Sequence, residues 1–151
     1  MSLAEPVRQR LLVLDSDRTF AEVAALVGET EGFEPMVEIE HARLATHLAG
    51  VDGVRPDIVI LDFAVSEDEA LELVDTLAAA KFAGVTIVLH GRDGDLVKTV
   101  RELAKNYGVK IGTCIEKPAR IVQIEGALKN ARAALAAAAA KAPAKAGQGA
   151  P

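Results

Sequence analysis

The chain has no tryptophan, one tyrosine and four phenylalanines, so aromatics are 3% of its 151 residues. Proteins that grip single-stranded nucleic acid lean on stacking platforms of such rings, and this composition offers little to build one. A single cysteine, Cys114, excludes an internal disulfide framework and the paired-cysteine zinc motifs. The three histidines, His41, His47 and His90, show no metal-ligand spacing beyond His41 with its acidic neighbours. An excess of positive charge is also missing: 17 Lys and Arg stand against 22 Asp and Glu, a net charge of −5. That argues against a nucleic-acid groove or a polybasic membrane patch. No charged-apolar-small leader opens the chain, and the only long apolar run is mostly alanine, so neither an export signal nor a membrane span is expected. These absences predict a soluble, cytoplasmic protein with neither nucleic acid nor membrane as partner.

What the chain does have is alternation. Between Pro56 and Phe63, residues 57–61 form a short β-branched run that reads as a buried strand, and Asp62 arrives as the run ends. Arg10 to Leu14 is a similar run, stopping at Asp15, Ser16 and Asp17. Further strands are predicted over 35–40, 85–89 and 109–115, the last stopping at Glu116, Lys117 and Pro118. Between them the apolar period becomes helical. Phe20, Val23, Ala24 and Val27 share one face behind an Asp17 N-cap. Leu44, Ala45 and Leu48 make a short helix closed by glycines. Leu71, Leu73, Val74 and Leu77 follow Ser66 and the acids Glu67, Asp68 and Glu69, a first turn that suits the helix dipole. Leu96, Val100, Leu103 and Tyr107 mark a fourth helix, and Ile121, Ile124, Leu128 and Leu135 a fifth that starts near Ala119. Five β-α units in succession predict a parallel sheet with helices on both faces. One domain is expected over 9–135, with 136–140 extending the last helix and the Ala, Pro, Lys and Gly mixture after Lys141 reading as a tail or linker.

In such a sheet, chemistry gathers beyond the carboxyl ends of the strands. Asp15 and Asp17 from the first strand, Asp62 from the third, His90 from the fourth and Lys117 from the fifth should meet in one crevice. Gathered carboxylates repel one another and need a cation. Mg²⁺ suits them, because it takes carboxylate and carbonyl oxygens and keeps several waters. One carboxylate is then free to act as a nucleophile toward phosphorus, with metal and lysine offsetting the charge on the transferring oxygens. Lys-Pro at a strand end also raises the prospect of a cis peptide. A flavodoxin-like enzyme or nucleotide binder is a different reading, but residues 15–18 supply acids where a phosphate loop needs glycines.

At this point the sequence resembles the receiver domain of two-component response regulators, the chemotaxis-regulator-like branch of the flavodoxin-like fold. The motifs are the first run ending in Asp15, the run from Pro56 ending in Asp62, and Glu116-Lys117-Pro118, and the likeness spans about residues 9 to 135. It implies a three-layer α/β/α sandwich with strand order 2-1-3-4-5. Asp62 would be the phosphoacceptor, Lys117 would contact the phosphoryl group, and Asp15, Asp62 and the main-chain carbonyl of Ala64 would face Mg²⁺. The donor would be a histidine kinase or phosphotransfer protein. Output would pass to a downstream protein through the fourth helix, fifth strand and fifth helix, where Lys98, Arg101, Lys105 and Lys110 add local positive charge. No turnover is implied beyond Mg²⁺-dependent self-phosphorylation and dephosphorylation.

The departures from the family are specific. Its second acid after the first strand is Ser16 here, which weakens metal binding unless Asp17 substitutes through a shifted loop. His90 stands where Ser or Thr is usual, Cys114 where an aromatic switch is usual, and Ser66 and Ala70 replace the usual Pro and Gly. These are traits of the atypical or pseudo-receiver branch. Two other readings therefore stay open: a phosphorylation-independent interaction module, and an N-terminal regulatory module of a larger protein.

Overall fold

The computed structural model describes residues 8–149, with side chains described as far as Lys141. The polar lead before Arg8 and the end of the expected tail lie outside the described residues. Strands β1 (Arg10–Leu14), β2 (Glu34–Glu38), β3 (Ile58–Asp62), β4 (Val85–His90) and β5 (Lys110–Glu116) alternate with helices α1 (Arg18–Thr30), α2 (Leu44–Ala49), α3 (Glu67–Ala79), α4 (Gly94–Tyr107) and α5 (Ile121–Gly149). A 3-10 turn, His41–Arg43, leads into α2. All pairings are parallel and the order is β2-β1-β3-β4-β5. The expected flavodoxin-like sandwich is the architecture observed.

The period of two along each strand divides the core into two layers. Leu11, Val13, Ile58, Ile60, Ile87 and Leu89 pack with α1 and α5, through Ala21, Ala24, Ile124 and Leu128. Leu12, Leu14, Val59, Leu61 and Val88 pack with α2, α3 and α4, through Leu48, Val74, Leu77 and Val100. Burial on both faces is why the central strands read as unbroken apolar runs. The helices start where their caps lie. Asp17 accepts from the Phe20 N–H at 3.1 Å, and Ser66 from the Glu69 N–H at 3.2 Å. Asp93 accepts from the N–H groups of both Asp95 and Leu96. Such caps contribute about 1 kcal/mol each. Gly108 ends α4 with φ +75°, a conformation glycine adopts without steric penalty.

The helical faces differ from the expected ones in four places. Val23, Ala45, Tyr107 and Ile121 are exposed, and Ala21 and Ala104 take inward positions. An alanine lets a helix lie close to the sheet, so the larger apolar residue beside it turns outward. α5 begins at Ile121 and continues past Lys141 to Gly149, through the stretch expected to be a tail. Alanine has the highest helix propensity of any residue, and only Pro143, Gly147 and Gly149 oppose it there.

Candidate functional site

The same alternation assembles the site. Asp15 is one step beyond Leu14, Asp62 closes β3, and Lys117 follows β5, each in phase with residues of the α1/α5 layer. The three side chains meet over the carboxyl edge of the sheet. Lys117 Nζ donates to Asp15 Oδ2 at 3.0 Å and lies 3.3 Å from Asp62 Oδ2. Its ammonium also lies 5.4 Å from the Phe20 ring centroid, so α1 shields the pair from one side. Asp15 is fully buried and Asp62 is 3% exposed. Asp15 Oδ1 accepts from the Asp17 N–H at 2.9 Å, and Asp62 Oδ1 from the Ala64 N–H at 2.8 Å. Each carboxylate therefore has one oxygen on main chain and the other toward the lysine.

Charge balance follows from this geometry. Burial pushes the Asp15 carboxyl above the usual carboxylate range, and Asp62 pushes the same way. The Asp17 N–H and Lys117 only partly offset them. Burial alone would lower Lys117, but its hydrogen bond to Asp15 and the two negative charges outweigh it and hold the ammonium above its usual range. The site thus combines two closely spaced carboxylates with a lysine that stays charged, an arrangement able to accept and stabilise a second anion.

The remaining expected site residues are placed as follows. Asp17 is exposed and its carboxylate caps α1. Ser16 is exposed in the β1–α1 turn. Ala64 is exposed on the loop after β3, bracing Asp62 through its N–H. His90 closes β4 in phase with Val88, on the α3/α4 layer, and its Nδ1 donates to the Gly91 carbonyl at 2.7 Å. Among the described residues the His90 side chain makes no hydrogen bond to Asp15, Asp62 or Lys117, although its carbonyl accepts from the Lys117 N–H at 2.7 Å. Cys114 pairs with Val88 in the β4–β5 ladder, half-buried, its thiol pushed up by burial. The peptide between Lys117 and Pro118 is cis.

The donors fit a hard divalent cation modestly. Asp15 and Asp62 bring carboxylate oxygens to one locus, beside a loop that can add a carbonyl, and Mg²⁺ commonly uses one or two carboxylates with waters and substrate phosphate. Among the described residues no group of three or more His, Cys, Asp or Glu side chains is placed to hold a metal. One residue at this site was not anticipated: His41, whose Nε2 lies 3.2 Å from the main-chain oxygen of Asp62. Its sequence neighbours suggested a metal ligand at most, and nothing in the local pattern signals a contact to a strand twenty-one residues on.

No family model matches the sequence. Curated relatives are similar. The DNA-binding response regulator MtrA of Mycolicibacterium smegmatis is 32% identical over 109 residues, covering 70% of this chain and 46% of the relative. The chain thus spans less than half the length of the curated relatives it matches. Among solved structures, the signal receiver domain of a putative Luxo repressor protein from Vibrio parahaemolyticus superposes with a TM-score of 0.72 at 13% identity, covering 89% of this chain and 98% of that one. A response regulator protein from Burkholderia pseudomallei, solved with a phosphorylated aspartic acid, calcium ion and citrate, superposes with a TM-score of 0.62 at 21% identity over 88% of this chain and 74% of that one. A five-stranded parallel sandwich with an acid-lysine crevice at its carboxyl edge is a receiver-type fold. Fold and sequence together place this chain with the receiver domains of response regulators.

Proposed function

We propose that the chain is a signalling receiver that accepts a phosphoryl group on Asp62 from a histidine kinase or phosphotransfer protein. The observation that carries this reading is the single ammonium of Lys117 held against both Asp15 and Asp62. A carboxylate oxygen of Asp62 attacks phosphorus, the new bond is an acyl phosphate, and the bond to the donor's leaving group breaks as that group departs with its electron pair. Lys117 stands where an added phosphoryl oxygen would replace part of its present carboxylate contact, so its charge need not be recruited from elsewhere. The Ala64 N–H holds the Asp62 carboxylate in one orientation during the approach. Mg²⁺ would be held by Asp15, Asp62 and the Ala64 carbonyl, and when bound would supply further positive charge against the phosphoryl oxygens. With Asp17 capping α1 and serine at 16, that affinity is low.

The receiver unit is residues 9–135, and α5 beyond it is a helical extension. The protein turns over no separate substrate; its chemistry is its own phosphorylation and dephosphorylation. Output is by protein contact through α4, β5 and α5, where Lys98, Arg101, Lys105 and Lys110 are exposed. The cytoplasm is the compartment that suits a kinase-coupled receiver. No helix among the described residues is long and apolar enough to cross a membrane.

The test is labelling by acetyl phosphate in millimolar Mg²⁺, with beryllofluoride titrated against amide spectra. Wild-type protein takes acid-labile label, Asp62→Asn takes none, and beryllofluoride shifts the amides of Asp62, Ala64 and Lys117. Label that persists in Asp62→Asn would identify another acceptor. No label and no shift in the wild type would turn the reading toward an interaction module that never uses phosphate.

A further inference from the structure

The carbonyl of Asp62 lies at a place where the sheet runs out of donors. β3 is flanked by β1 and β4. On the β4 side the ladder carries on past Asp62, because the Phe63 N–H donates to the Leu89 carbonyl at 2.6 Å. On the other side β1 ends at Leu14, which pairs with Leu61. The next N–H due to face β3, that of Ser16, makes no main-chain hydrogen bond to Asp62 among the described residues, and that of Asp15 is turned to Glu38 of β2 at 3.0 Å. A main-chain carbonyl in a buried residue is seldom left without a partner. Here the partner is a side chain from the far side of β1. His41, in the 3-10 turn after β2, places Nε2 at 3.2 Å from the Asp62 oxygen. A carbonyl can only accept, so that nitrogen carries the proton and donates.

The consequence reaches the reacting carboxylate. Asp62 to Ala64 is three residues long, and its fixed points are few. Lys117 faces Asp62 Oδ2, the Ala64 N–H closes on Asp62 Oδ1, and β4 holds Phe63. Without His41, the peptide joining Asp62 to Phe63 is anchored on one side only. Rotation of that peptide would carry the Ala64 N–H off Oδ1 and turn the Ala64 carbonyl with it. We propose that His41 is a positioning residue for phosphoryl acceptance: its Nε2–H fixes the Asp62 carbonyl so that the Asp62–Ala64 turn presents carboxylate and carbonyl together. This assignment rests on Asp62 being the acceptor. It also gives the β2–α2 connection, otherwise remote from the chemistry, a direct hold on the acceptor strand.

The test compares His41→Ala, His41→Phe and His41→Gln. Alanine removes the donor, phenylalanine keeps the ring without it, and glutamine restores an N–H of similar reach. In the absence of any phosphodonor, the Ala64 amide signal should move and its hydrogen exchange should quicken in the alanine and phenylalanine variants, and return toward wild type in glutamine. With acetyl phosphate, labelling should slow about tenfold in the first two, with most of the rate recovered by glutamine and the thermal midpoint of all three near wild type. An unchanged Ala64 amide in alanine and phenylalanine would overturn the proposal, as would a glutamine variant no better than alanine. The amide readout needs no phosphate, so it stands or falls apart from Asp62 chemistry. Should wild-type protein take no label, the acceptor reading fails while the positioning contact is still judged on the amide.

Discussion

The carboxyl edge of this sheet has two halves that handle polar groups in opposite ways. Over β1 and β3, Asp15, Asp62 and Lys117 address one another, and two carboxylates share one ammonium. Over β4, the polar groups turn back on local main chain. His90 donates to the carbonyl of the very next residue. Toward the amino ends of β4 and β5, Arg101 of α4 donates to the Gly112 carbonyl at 3.3 Å, and the Thr86 hydroxyl is buried with no partner among the described residues. The ladder itself is irregular there: Thr86 pairs with Ile111 but Val88 with Cys114, so β5 carries an extra residue past Ile87. Gly112 sits in this bulge, where a Cβ would come within 2.9 Å of Val85 Cγ1. The half that would carry the reaction keeps Asp15, Asp62 and Lys117 but has Ser16 in place of a second acid, whereas the half where a hydroxyl and an aromatic usually relay it has been built from other residues.

Removing the shared charge should break the first half outright. In Lys117→Met, fully buried Asp15 and nearly buried Asp62 lose their counter-ion. A broken buried pair costs several kcal/mol. Lys117 is 25% exposed, so water screens part of this, and a loss of about 2 kcal/mol is expected in urea unfolding. Labelling of Asp62 should fall by roughly two orders of magnitude, the scale for deleting one preorganised electrostatic contact. Adding Asp15→Asn should restore part of the stability, since it removes one of the stranded charges. If the double variant is less stable than the single one, the lysine is not what offsets Asp15.

Why the first half could be foreseen and the second could not is a matter of where the interactions lie. Asp15, Asp62 and Lys117 each follow a strand that its apolar run announces. A parallel sheet must bring successive carboxyl ends to one edge, so position in sequence converts directly to position in space. The Asp17 cap was equally visible, because its bond is local. In this structure the Asp17 carboxylate accepts from the Phe20 N–H and caps α1. The contacts that escaped detection depend on unpaired main chain. His41 meets Asp62 because β1 stops one residue short, and His90 meets Gly91 through a choice of rotamer. Neither follows from the identity or period of the residues concerned. Tyr107 escaped for another reason: its spacing fits a buried face, but the close approach allowed by Ala104 moves that face round the helix.

Charge pairing on β2 gives a control for the first half, since no phosphoryl chemistry is proposed there. Glu38 Oε1 accepts from His47 Nε2 at 2.8 Å and lies 3.1 Å from Arg43 Nε, while Oε2 accepts from the Glu40 N–H at 3.0 Å. Burial would raise this carboxyl, but the bonds from His47 and Glu40 and the charge of Arg43 overcome it and hold the group below its usual range. A carboxyl depressed in the folded state stabilises above its unfolded value and loses that contribution as pH falls through the folded one. Glu38→Gln should therefore cost about 1 to 2 kcal/mol at neutral pH. The gap from wild type should narrow as pH drops below the ordinary glutamate value of 4.5. Urea midpoints measured across that window check the sign: a gap that widens in acid would mean the pairing does not stabilise the fold. Labelling of Asp62 should be unaffected at neutral pH, which separates fold-holding charge from charge that acts on phosphorus.

The smallest effect is expected where the two halves are compared most directly. His90 occupies the strand-end position that carries a phosphoryl-binding hydroxyl in related receivers, and on position alone its removal would rival that of Lys117. The geometry says otherwise. With Nδ1–H committed to the Gly91 carbonyl, neutral imidazole offers only a lone pair at Nε2. A lone pair cannot donate to an anionic oxygen, and it repels one. The ring is also only partly buried, so its loss opens no sealed cavity. His90→Ala should then change the rate of acetyl-phosphate labelling by no more than about threefold, under 1 kcal/mol, and leave the urea midpoint near wild type. His90→Thr is the sharper companion, because it returns a hydroxyl that can donate to a phosphoryl oxygen without the bulk of the ring. A slower loss of label in the threonine variant, beside an indifferent alanine, would place the difference between the halves in this one missing donor. A hundredfold fall in labelling on His90→Ala would mean that the imidazole leaves Gly91 when phosphate arrives, and the contrast between the two halves would then belong only to the phosphate-free state.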